Sequence, residues 1–146
     1  MVLQRPDQAC CGPIAIINAY KYAYGTHLNI TGSRLGSLMN MDNKYGTETW
    51  EICDNPYVKL KKKTFNIDKM LEMNAFILLH IIDFEECHYV FVHKENNKYI
   101  VHNYFCPYKK KFLDKPFTKY HFKNIMLNKI KGVDELDYPI AWELNY

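Results

Sequence analysis

Arginine is nearly absent from this chain: of its 19 basic residues only Arg5 and Arg34 are arginine, and the rest are lysine. A nucleic-acid groove is built from guanidinium forks beside a stacking platform, so that class of partner is not expected. The net charge of +3 is too small to imply a polyanionic partner of any kind. Two lysine clusters, Lys59-Leu60-Lys61-Lys62-Lys63 and Lys109-Lys110-Lys111, read as solvated surface with apolar anchors. Glycine and proline are also scarce, at 6 each, and no Pro/Gly-rich linker or repeat divides the sequence. Residues 1–146 therefore read as a single domain, long enough to bury a substantial core. No apolar run approaches the roughly 18 residues of a membrane span, and the opening MVLQRPDQ has no signal-peptide core. The expected location is the cytoplasm (the host cytoplasm for a viral protein), with no membrane partner. The abundance of Lys, Asn, Tyr and Ile, whose codons are A/T-rich, points to a low-GC bacterial, phage or large viral genome. A CxxC pair is missing as well. The five cysteines are Cys10, Cys11, Cys53, Cys87 and Cys106, and adjacent Cys10-Cys11 is a poor ligand spacing. Neither a metal site nor a cofactor is expected, and in an unexported protein these thiols stay reduced, most of them as small buried hydrophobes.

What is present is an ordinary globular composition, 48% hydrophobic and 24% charged, with 12 tyrosines. Pro13 to Tyr24 carries good helix formers, a proline in the first turn and Gly25 at the C-terminal boundary. It is apolar nearly all round, so a central buried helix is expected. Further short helices are expected over 31–41 and from Thr47 to about Cys53. The second half is rich in Val, Ile, Phe and Tyr, and Tyr57–Phe65, Ala75–Ile82, His88–Lys94 and Lys98–Phe105 read as strands. A helix and a final strand near Ile140–Leu144 complete the C-terminal third. Helices followed by an antiparallel sheet is the order of an α+β domain.

The chemistry begins at Cys11, immediately before Gly12-Pro13 and the expected helix. A thiol at a helix N-terminus feels the positive end of the macrodipole and free N–H groups, which favour thiolate. A nucleophilic cysteine needs a base and the base needs an orienting group. Six histidines are available, at 27, 80, 88, 93, 102 and 121. A two-residue turn at Asn96-Asn97 pairs Glu95 with Lys98, which sets His88 and Asn103 on one face as diagonal neighbours. His93 and His102 then fall on the opposite face, with a surface role expected for them. A three-residue turn would reverse this parity. Glutamine a few residues ahead of the cysteine is the usual side-chain donor to an oxyanion, and Gln4 and Gln8 both qualify.

The run from Gln4 through Cys11-Gly12-Pro13 to Ala19 resembles the opening of the C39-like peptidases, papain-like cysteine peptidases with a Q…CGxA motif at a helix start. Tyr24-Gly25, Leu35 to Met39, Gly46-Thr47, Phe76 to His80 and His88 to Val92 continue the resemblance in order along the chain. It implies a papain-like fold, with N-terminal helices packed on an antiparallel sheet, and a cysteine hydrolase acting on a peptide or protein through an acyl-enzyme. In that pattern Cys11 is the nucleophile, His88 the base, and Asn103 stands where the family has an aspartate. Asn103-Tyr104 replaces the family's Asp-Pro, and Gln4 lies one residue farther from Cys11 than the family spacing, so both glutamines stay in play. The alternative is a papain-fold binding or inhibitor protein without catalytic activity, for which Asn103-Tyr104 and the Cys10-Cys11 pair are the motivating departures.

Overall fold

The computed structural model describes residues 11–39, 52–80, 88–106, 110–127 and 139–145. In chain order they form α1 (Cys11–Tyr24), α2 (Gly32–Leu38), α3 (Ile67–Glu72), β1 (Ala75–His80), β2 (His88–Glu95), β3 (Lys98–Cys106), β4 (Lys111–Phe117), α4 (Lys119–Met126) and β5 (Ile140–Glu143). The strands make one antiparallel sheet in the order β4-β3-β2-β1-β5. This is a mixed α+β architecture.

β1 is buried on both faces, which is why Ala75-Phe76-Ile77-Leu78-Leu79 is continuously apolar and does not alternate. Ile77, Leu79, Tyr89 and Phe91 share one core with Ile14 and Ile17 of α1 and Leu35 of α2. Phe76, Leu78, Val90, Val92 and Val101 share the other with Met70 and Leu71 of α3 and Phe122 and Met126 of α4. The N-terminal helices cover one face of the sheet, and the other face is covered by α3 and by the C-terminal helix α4. The helix over the second face is held by Phe122, which is fully buried. Phe122→Ala should destabilise the domain by about 3–5 kcal/mol, read as a lowered urea midpoint with little change in slope.

The turn between β2 and β3 is the two-residue one. Asn96 (φ 52°) and Asn97 (φ 61°) both sit in the left-handed region that a type I′ hairpin requires, and asparagine tolerates it better than most residues. Glu95 pairs with Lys98 and Phe91 with His102, as that turn dictates.

Three expectations change. Tyr57–Phe65 is not a strand: its backbone meets residues 140–144 at the isolated bridges Leu60–Leu144 and Thr64–Ala141, and Lys61 reaches the Glu143 carboxylate at 3.3 Å. Lys61, Lys62 and Lys63 are all exposed, so the segment has no alternating apolar face to bury along a full ladder. A helix unforeseen in the sequence, α3, follows it, capped by Asn66, whose side chain accepts from the Lys69 N–H at 3.1 Å. The lysine cluster at 109–111 leads into a strand, β4. As an edge strand it is mostly exposed and carries Lys111, Lys115 and Pro116, residues that protect an open edge and disguise its strand character. The helix expected from Thr47 to Cys53 lies almost wholly outside the described residues, as do Ile81 and Ile82. Among the described residues no helix is long and apolar enough to cross a membrane.

Candidate active site

α1 is described from Cys11 to Tyr24, so Cys11 and Gly12 ahead of the proline are already helical. Pro13 fits because first-turn N–H groups have no intrahelical acceptor to lose. Gly12 to Ala19 are all buried, packing this half of the helix against the sheet and fixing where the Cys11 side chain emerges. The thiol is partly exposed and free. Burial pushes its pKa up. A hydrogen bond from the His88 side chain, the charge of that ring, and the backbone groups of Tyr89 and Gly12 together outweigh burial and bring it below the ordinary thiol value.

His88 is the first residue of β2 and is buried. Its Nε2 lies 3.2 Å from the main-chain carbonyl oxygen of Asn103 and 3.5 Å from the Asn103 side-chain nitrogen. An Nε2–H donating to that carbonyl fixes the tautomer and leaves Nδ1 as the ring nitrogen available to the thiol. The chain thus brings Cys11, His88 and Asn103 together, but the better contact to the ring comes from the backbone of Asn103. A side-chain carbonyl acceptor is what the residue type suggests, and the main-chain carbonyl holds the shorter distance because β3 is irregular here. Val101 pairs with Lys115 and Tyr104 with Leu113, so His102 and Asn103 together stand opposite Asp114 in a β-bulge. Asn103 has φ 67°, a left-handed conformation that re-aims its carbonyl.

His93 and His102 lie across the sheet from Val92 and Val101, as the hairpin parity requires, but they are not at the surface. His102 is buried, stacked on Phe91 at 5.6 Å between centroids and on His93 at 4.9 Å. The face that receives them is the α1 face, where Tyr22 packs against both Phe91 and His93. His102 Nε2 is 2.9 Å from His93 Nδ1, His102 Nδ1 is 3.3 Å from an Asp114 carboxylate oxygen, and His93 Nε2 is 3.6 Å from Glu95. A buried imidazole, His102, and a half-buried one, His93, meet here in place of the solvent expected for them. His80 is a structural residue, its Nε2 3.1 Å from the Ile125 carbonyl of α4. His27 pairs with Lys21 at 2.9 Å on the surface, and His121 is exposed on α4.

Gln4, Gln8 and Cys10 lie outside the described residues, as does Cys87. Cys53 is free and exposed. Among the described residues no group of three or more His, Cys, Asp or Glu is placed to hold a metal ion. Asp114 is the residue that the sequence does not flag: it sits in an exposed lysine-rich strand, and only the bulge opposite it shows its place beside His102.

No family model matches this chain, and neither a curated protein nor a solved structure is similar to it at a significant level. The resemblance to C39-like peptidases rests on the residues of this chain alone.

Proposed function

We propose that this chain is a thiol hydrolase on a papain-like fold, acting on an amide or isopeptide bond in a peptide or protein. The observation that supports this best is the meeting of a helix-start thiol with a histidine whose far nitrogen is held by a backbone carbonyl. The thiolate of Cys11 attacks the substrate carbonyl and forms a C–S bond. His88, protonated on the side facing the thiol, gives that proton to the leaving amine as the C–N bond breaks. Water then attacks the thioester while His88 removes its proton, the C–S bond breaks, and the carboxylic acid and Cys11 are released. Asn103 holds the ring in the orientation both proton transfers need.

The test is the pH dependence of alkylation. A thiol paired with imidazolium should react with iodoacetamide at pH 6, where an ordinary thiol of pKa about 8.5 is almost wholly protonated. Stoichiometric modification at Cys11, located by peptide mass mapping, supports the pair. Modification only above pH 8 would favour a binding protein on the same fold, in which burial dominates the thiol.

The oxyanion donors are a backbone N–H at Cys11 and a glutamine ahead of it. Gln4→Ala or Gln8→Ala, whichever removes the donor, should lower turnover on fluorogenic peptide amides by about 10²–10³ and leave alkylation at pH 6 intact. Normal turnover in both variants rules out a glutamine donor.

A further inference from the structure

We infer that Asp114, acting through His102, is a positioning residue for His88: the pair clamps the β3 bulge that turns the Asn103 carbonyl toward the His88 ring. This rests on the proposed pairing of Cys11 with His88 and adds to it a carboxylate–histidine contact in the bulge beside Asn103.

The bulge is short and serves both faces. His102 and Asn103 are neighbours in it, opposite the single residue Asp114, and are 4% and 1% exposed. Asn103 is in the left-handed region, which side-chain-bearing residues avoid unless their surroundings hold them there. Its neighbour His102 is restrained from several sides. Its ring is stacked on Phe91, with 16° between planes, and on His93, with 13°. Its Nε2 is 2.9 Å from the Nδ1 of His93, and its Nδ1 is 3.3 Å from an Asp114 carboxylate oxygen, an ion-pair contact without hydrogen-bond alignment that ties the ring to β4.

The electrostatics agree with this arrangement. Asp114 is held below the ordinary carboxylate range by its contact with His102, against the opposing effect of burial. His93 is pushed below the ordinary histidine range by burial and then by the charge of His102, with Glu95 and Asp114 pulling the other way. Among the described residues the titratable groups facing His102 are Asp114 and His93, with Glu95 beyond His93; α1 presents Tyr22 to His93 and Phe91. Without the carboxylate, His102 loses the contact that ties it to β4. The extra residue in β3 can then slip, and a slip of one residue carries Asn103 away from His88.

The experiment follows the rate of Cys11 alkylation by iodoacetamide against pH in the whole protein, with circular dichroism and a thermal melt on every variant. Asp114 is an exposed residue of an edge strand, so Asp114→Ala removes little packing and is expected to fold. Its alkylation midpoint should rise by about one pH unit, a roughly tenfold slower reaction at pH 6. Asp114→Asn, which keeps an acceptor oxygen for His102, should stay near the wild-type midpoint. Asn103→Gly, which keeps the carbonyl and frees the backbone, should restore the midpoint when combined with Asp114→Ala. A lowered melting temperature with an unmoved midpoint makes Asp114 merely structural and overturns the inference. Should Asp114→Ala fail to fold, Asp114→Ser is used, its hydroxyl being too short to reach His102, and the same two outcomes decide. If the wild-type protein itself reacts only as an ordinary thiol, it is the Cys11–His88 pairing that fails, a result distinct from failure of the clamp.

Discussion

Cys11→Ala should abolish both alkylation at pH 6 and hydrolysis of peptide amides, with a fall in turnover of at least about 10³-fold, while the fold is kept. The variant is benign structurally. Cys11 is partly exposed at the first position of α1, and alanine is the best helix former. What disappears is a thiol whose pKa His88 and two backbone groups bring below its ordinary value. Cys10→Ala should keep most of the activity, because the residue that opens α1 and meets His88 is Cys11. The opposite result, a dead Cys10 variant beside an active Cys11 variant, would mean the motif is out of register by one.

His88→Ala should be nearly as damaging, and its signature is a change in pH dependence as well as in rate. In the intact site burial raises the thiol pKa, and the His88 hydrogen bond and charge are the largest effects opposing it. Removing the ring leaves burial opposed only by the backbone of Tyr89 and Gly12, so the thiol pKa should climb back to its ordinary value or beyond. The sign follows from the acid: a thiol with a lowered pKa ionises, and reacts, at lower pH. At pH 6 a thiol of pKa about 8.5 is only about 0.3% thiolate, so alkylation there should slow on the order of 100-fold. Hydrolysis should fall by about 10²–10⁴, the usual loss when the general acid–base is removed. Full-range alkylation profiles and turnover on the same peptide amides measure both. His121→Ala is the control, since that ring is exposed on α4. Retained low-pH alkylation in His88→Ala would remove His88 as the partner of the thiol.

Much of this arrangement was legible because it follows from short-range rules. Gly25 (φ 74°) ends α1 as only a residue without Cβ does easily, and Asn96-Asn97 sets the hairpin parity. That parity is what separates His88 and Asn103 from His93 and His102. The burial of His93 and His102 was not legible, because alternation tells which face a side chain is on and not whether a helix covers that face. In this molecule both faces are covered, one by α1 and α2 and the other by α3 and α4.

By itself the sequence determined the buried helix at the Cys11 motif, the two-residue turn, the strands β1, β2 and β3, and the register from Phe91–His102 to Glu95–Lys98. Each of these is encoded within a few residues, by a breaker, a period of two, or a run of apolar side chains. Only the tertiary structure decided that β4 exists, that Tyr57–Phe65 does not pair along its length, and that His88 leans on a backbone carbonyl. An edge strand is written in polar residues and is recognised by the neighbour it pairs with. A bulge likewise has no local code: it is the mismatch between two strands, and here it is the register of β4 against β3 that sets Asp114 beside His102 and turns Asn103 toward His88.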